Sequence, residues 1–204
     1  MQRAGRRGFT LVEMIIALSI MLVAASIFCR MVASTSKLRE VNRENAIAAD
    51  AARVLLEQMR SVAFSEVFAL YNDDASDDPS GAGTAPGNGF SVEDLRPLPT
   101  SPNGLVGEVI LPVQLVEVEE EAGAVKLGGE SGPVVVQELW LREDTVDAEL
   151  GMPRDLNGDN VVDELDHAND YIILPVCIVV RWQGVFGARS MRVVTMLTDF
   201  DLSR

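Results

Sequence analysis

Gly8-Phe9-Thr10-Leu11-Val12-Glu13 is the junction on which the reading of this chain turns. Ahead of it stand three arginines, Arg3, Arg6 and Arg7. Behind it runs a mostly apolar segment from Met14 to Cys29. One carboxylate, Glu13, sits near the start of that segment. At mid-membrane an acidic side chain costs about 2.5–3.5 kcal/mol on insertion scales. A plain anchor would avoid it, and acids retained inside a membrane generally have a partner and a function. The arginines set the direction of insertion: the positive leader stays in the cytoplasm and the rest crosses.

The junction resembles the cleavage and methylation site of type IV prepilins and type II secretion pseudopilins. The matching features are the short basic leader, Gly8, the run Phe9 to Glu13 and the long apolar stretch after it. The resemblance implies a membrane prepilin peptidase that cuts between Gly8 and Phe9 and methylates the new amino terminus on Phe9. It also implies that Glu13 pairs with the N-terminal amine of a neighbouring subunit during assembly. The physics agrees, because two opposite charges in lipid have both lost hydration and gain most by meeting. Such a pair sets register better than it adds stability. Three other readings compete. A secretory signal peptide would offer Ala24-Ala25-Ser26 for its cut, but Glu13 sits badly in its apolar core. A lipoprotein signal would end at Cys29, yet Phe28 stands where a small residue is needed. A plain single-span anchor leaves Glu13 unexplained.

The 204 residues suffice for one modest domain plus an anchor. Hydrophobic residues make up 48 % and charged residues 24 %, the balance of a folded chain. Net charge is −14, and loss of the three leader arginines leaves the mature side chains at −17. That argues against a nucleic-acid-binding pilin, which needs a basic patch for phosphates. It permits cation binding and keeps an outer domain soluble. Cys29 lies in the membrane segment and Cys177 in an apolar strand pattern, so two buried thiols are expected rather than a disulfide.

From Phe9 the helical pattern continues past the membrane segment. Apolar positions recur at Leu38, Val41, Ala48, Ala52, Leu55, Met59 and Val62, the long step passing over Asn45. This is one stripe of a helix, and neither Pro nor Gly interrupts between Phe9 and Asp78. One helix is expected from about Thr10 to about Ala69. Asn72 to Asn103 is rich in Asp, Ser, Gly and Pro and reads as a surface loop, with a short strand at Phe90-Ser91-Val92. Strand patterns follow at Leu105–Ile110, Val113–Glu119 and Val134–Leu141. A charged turn at Glu119–Gly123, a short return strand at Ala124–Leu127 and a turn at Gly128–Pro133 fall between the last two. Tyr171–Gln183 and Arg189–Thr198 form the clearest hairpin, joined around Gly184 to Gly187. The expected organisation is a leader at 1–8, a transmembrane and assembly half-helix at 9–30, an amphipathic half at 31–70, a connecting loop at 71–104 and a head at 105–204. The fold class is α+β, a long N-terminal helix packed on an antiparallel sheet.

Asp155-Leu156-Asn157-Gly158-Asp159-Asn160-Val161-Val162-Asp163-Glu164-Leu165-Asp166 is the second informative stretch. With Asp155 as position one, oxygen side chains fall at one, three, five, nine and twelve. Val161 at seven offers its carbonyl, and Val162 at eight is the apolar position that packs the loop. Hard divalent cations take six to eight oxygens. The spacing resembles the calcium loop of EF-hands and dockerins, which implies Asp155, Asn157, Asp159, Val161, Asp163 and Asp166 as ligands of a structural calcium. The sequence departs from that pattern with Asn160 in place of Gly at six, with Asp rather than Glu at twelve, and with one copy where dockerins carry two. A polar turn without metal is the competing reading. His167, the single histidine, is expected to be solvated. Trp140 and Trp182 are expected to pack in the core or at a sheet edge.

Taken together, these features describe a structural subunit and no enzyme. The resemblance implies a minor pilin or type II secretion pseudopilin, single-pass in the bacterial inner membrane, with its N-terminus cytoplasmic and its head periplasmic or carried on an extracellular fibre. Its expected partners are the prepilin peptidase and methylase, other pilin subunits and the membrane. The alternative is a membrane-anchored calcium-binding or sensor domain that does not polymerise.

Overall fold

The computed structural model describes residues 10–120 and 134–199. Gly8 and Phe9 lie outside the described residues, as do the expected strand at 124–127 and the turn at 128–133. The chain divides into two compact units, Met1–Glu44 and Asn45–Arg204. The boundary falls inside the first helix, α1, which runs Leu11–Ser61.

In the first unit Thr10 begins the helix. Its hydroxyl accepts the N–H of Glu13 at 3.3 Å, satisfying one of the donors that a helix start leaves open. Thr10 and Glu13 have the spacing of a capping box. Every side chain from Leu11 to Arg39 is exposed. The hydroxyl groups in this apolar stretch fold back on their own helix. Ser19 donates to the Ile15 carbonyl at 2.8 Å, Ser26 to Val23 at 2.8 Å, and Thr35 to Met31 at 2.9 Å.

In the second unit the last turns of α1 bury Ala48, Ala52, Leu55 and Met59, the stripe read from the sequence. Leu38 is exposed, and Glu44 rather than Asn45 occupies the buried place within the long step. The helix does not reach Ala69. It stops at Ser61, Ala63 is extended (φ −60°, ψ 131°), and a 3₁₀ turn at Phe64–Glu66 leads into α2, Val67–Tyr71. No local breaker marks this point. Just past this point the Tyr171 hydroxyl stands between a carbonyl and an N–H that a continuous helix would pair: it donates to the Phe64 carbonyl at 2.5 Å and accepts the Phe68 N–H at 3.2 Å. The Phe64 and Phe68 rings lie 4.9 and 6.5 Å from the Tyr171 ring.

The strands are β1 (Gly89–Phe90), β2 (Gly107–Ile110), β3 (Val113–Glu120), β4 (Val134–Leu141), β5 (Ile173–Gly184) and β6 (Gly187–Thr198). They form two antiparallel sheets rather than one: four strands in the order β1-β2-β5-β6, and the pair β3-β4. Glu119 and Glu120 extend β3 instead of starting the turn. The β5–β6 hairpin runs from Ile173 opposite Thr198 to Gly184 opposite Gly187. Unbroken burial from Leu174 to Val180 places β5 in the middle, covered on both faces, which is why its sequence shows an apolar run instead of alternation. At the far edge Gly107 faces Phe90, and a Cβ there would stand 2.1 Å from the Phe90 ring. Glycine therefore lets the ring lie across β2. The core joins Met59 and Phe68 to Leu174, Val176, Ile178 and Trp182. Helix and sheet thus share one core within the second unit, as the α+β expectation required. Between β4 and β5, residues 142–172 contain no helix or strand, yet Leu150, Met152 and Leu156 are buried there.

Candidate functional site

Two places gather unusual chemistry. The first is the start of α1. Among the described residues α1 is the one helix long and apolar enough to cross a membrane, with an eighteen-residue window of mean hydropathy 2.5 that is entirely unburied. Glu13 stands in its first turn, where the helix dipole favours an anion. The prokaryotic N-terminal methylation motif matches residues 3–28, covering the basic leader, the junction and the first turns of the apolar helix. The N-terminal segment is type IV pilin-like. The motif belongs to structural pilins rather than enzymes, and with the apolar helix it indicates membrane anchoring. Neither curated proteins nor solved structures give a match to the chain.

The second place is the connection between β4 and β5. The loop at 155–166 is shaped by its own polar side chains. Asp155 accepts the N–H groups of Gly158 and Asn160 at 2.5 and 2.7 Å. Asn157 accepts from Asp159 at 3.0 Å, Asp159 from Val161 at 2.7 Å and Asp163 from Leu165 at 2.8 Å. Asn160 takes a left-handed backbone, φ 67°, the conformation that Asn tolerates better than most residues. Asp166 turns to the end of β4, where its Oδ1 accepts the N–H groups of Leu141 and Ala168 at 3.0 and 3.1 Å. Val162 is exposed, and the residue that packs the loop is Leu156 at position two, wholly buried.

Among the described residues, the acidic, histidine and cysteine side chains whose ligand atoms lie within 4.8 Å of one another are Glu143, Asp163 and His167. Asp163 is the one member of that group read from the loop. His167 is 3 % exposed, which corrects the expectation of a solvated histidine. Its backbone N–H donates to the Leu141 carbonyl at 2.9 Å, and Asp166 fastens the same residue of β4. These two bonds draw the segment inward, an effect no local pattern announces.

His167 Nε2 lies 3.1 Å from Asp163 Oδ1 and 3.8 Å from Glu143 Oε1, and Nδ1 lies 3.0 Å from Asp170 Oδ1. Burial opposes charge on this imidazole. Hydrogen bonds to Asp163 and Asp170 and the charge of Glu143 outweigh it and hold the pKa above the ordinary histidine value. The Leu165 N–H, then His167, hold the Asp163 carboxyl below its usual range. Glu143 is completely buried. Its Oε1 accepts the N–H groups of Leu156 and Asn157 at 2.6 and 3.2 Å, while Oε2 is buried with no hydrogen-bond partner. Sequence reasoning missed Glu143, His167 and Asp170. The available signal was weak, a histidine placed four residues after one aspartate and three before another.

Proposed function

We propose that this pilin-like chain is a fibre subunit, a minor pilin or type II secretion pseudopilin, cleaved after Gly8 and methylated on Phe9. Glu13 pairs with the methylated amine of a neighbouring subunit, and the work is mechanical rather than catalytic. The observation that carries the reading is an unburied apolar helix with a carboxylate in its first turn, directly behind the methylation motif. Before assembly the subunit sits once through the bacterial inner membrane, its N-terminus cytoplasmic and its head periplasmic. Its partners are the prepilin peptidase and methylase and other pilin subunits. The acidic, non-repetitive head favours an accessory subunit over a bulk fibre protein. Intact mass and N-terminal sequencing of the chain from its native membrane test this. A start at N-methylated Phe9 supports it, and a start at Met1 or near Ile27 overturns it.

Calcium is the cation proposed for the oxygen side of the loop, with Asp155, Asn157, Asp159, the Val161 carbonyl, Asp163 and Asp166 as its donors. The left-handed Asn160 and the turn bonds at Asp155, Asn157 and Asp159 support that reading. The loop N–H groups occupy one lone pair on each accepting oxygen and leave others for a cation. Thermal unfolding with calcium and with a calcium-selective chelator tests it, and identical midpoints would exclude it.

A further inference from the structure

The Glu143–Asp163–His167 group differs in kind from the oxygen loop beside it. We propose that these three side chains form a second cation site, selective for a divalent metal of the zinc class, with His167 Nε2 as its nitrogen ligand. The observation that points to a ligand is Glu143 Oε2. A buried acceptor without a partner carries a desolvation cost of about 1–3 kcal/mol or more if charged, and such groups call for an explanation. A proton on His167 would satisfy Asp163 and Asp170 but leave Oε2 orphaned, whereas a metal held by both oxygens of the Glu143 carboxylate would occupy it.

Geometry supports the same conclusion. In a tetrahedral centre with bonds of about 2.0–2.2 Å, ligand atoms stand about 3.3–3.6 Å apart. The separations around Nε2 are 3.1 Å to Asp163 Oδ1 and 3.8 Å to Glu143 Oε1, the other oxygen of the carboxylate that carries the unpartnered Oε2. The other imidazole nitrogen meets the Asp170 carboxylate at 3.0 Å, the carboxylate–histidine arrangement that orients a metal-binding ring. Leu156 and Asn157 N–H groups hold Glu143 in the same way. The Asp163 side chain is 31 % exposed, so an ion can enter and keep a water as fourth ligand. An imidazole with two carboxylates suits zinc and its neighbours, and calcium prefers oxygen alone. Such a metal would tie residue 143, just past β4, to the segment that leads into β5. This inference does not depend on whether the chain polymerises.

The full chain without an affinity tag carries a single histidine, which makes the test direct. Detergent-solubilised protein is stripped of metal and titrated with zinc, and the zinc environment is read by X-ray absorption. We expect one zinc per chain with one imidazole nitrogen among its ligands. His167→Gln and Glu143→Gln should abolish that binding, and Asp170→Asn should weaken it 10–100-fold. Asp50→Asn, on the exposed face of α1, should leave it unchanged. Absence of zinc binding, a zinc shell without an imidazole, or equal affinity in His167→Gln would each overturn the proposal. The wild-type absorption spectrum decides the matter even if a variant fails to fold.

Discussion

Tyr171→Phe removes one oxygen and leaves every ring contact in place. That oxygen donates to the Phe64 carbonyl and accepts the Phe68 N–H, the two backbone groups flanking the break after α1. Phe68 is buried and Phe64 partly so. Leaving a buried polar group unsatisfied costs about 1–3 kcal/mol. One such group plus a partly hydrated second puts the loss at about 2–4 kcal/mol. The assay is urea unfolding of the full chain in detergent, followed by tryptophan fluorescence, with hydrogen exchange at the Phe68 amide as a local probe. The pH dependence gives an independent check. Burial pushes the Tyr171 pKa up from 10.0 to about 12. The folded state therefore holds this proton more tightly than the unfolded state. Its contribution is fully present below pH 10 and is lost as pH rises through about 12. At 1.36 kcal/mol per unit Tyr171 should account for a loss of roughly 2–3 kcal/mol over that window, a share the Phe variant lacks while it keeps that of Tyr71, whose pKa burial also raises. If Tyr171→Phe costs less than about 0.5 kcal/mol and Phe68 exchanges as before, the helix break is set locally and the argument fails.

Met59→Ala should cost about 2–5 kcal/mol in the same unfolding assay, because Met59 is 1 % exposed in the core shared by α1 and β5. Gly107→Ala should lower stability by about 1–3 kcal/mol, since its new Cβ would meet the Phe90 ring, and Phe90→Ala combined with it should recover part of that loss. Glu13→Ala should leave membrane insertion intact, measured by alkaline extraction, and abolish incorporation into fibres, measured by shearing and immunoblotting. Normal incorporation would remove Glu13 from the assembly contact.

Local patterns carried much of the fold. The stripe Ala48, Ala52, Leu55 and Met59 obeys the helical period, β4 spans the expected Val134–Leu141, and Gly184 to Gly187 brackets the hairpin turn. The misreadings are tertiary effects. α1 ends at Ser61 without a local breaker, and a tyrosine more than a hundred residues later supplies the hydroxyl that bridges Phe64 and Phe68 just past the break. The sheet divides in two because pairing partners, not strand propensity, decide membership. At the candidate site the spacing from Asp155 to Asp166 described the turn well. What it could not supply was Glu143, which lies just beyond β4 and meets His167 through folding alone. A lone histidine after a polar loop has no periodic signature, so its burial was invisible until the partners were in place.

The serine and threonine hydroxyls along the apolar part of α1 bond to carbonyls of their own helix. Such a helix is self-contained with respect to those hydroxyls and asks nothing of its surroundings for them. Lipid tails and the flanks of similar helices then become nearly interchangeable solvents, since neither must offer these groups a polar partner. The work of moving the segment from one to the other falls on apolar contact and on a single carboxylate. In the proposed fibre role, Glu13 is thus the residue through which this helix would tell a bilayer from a bundle.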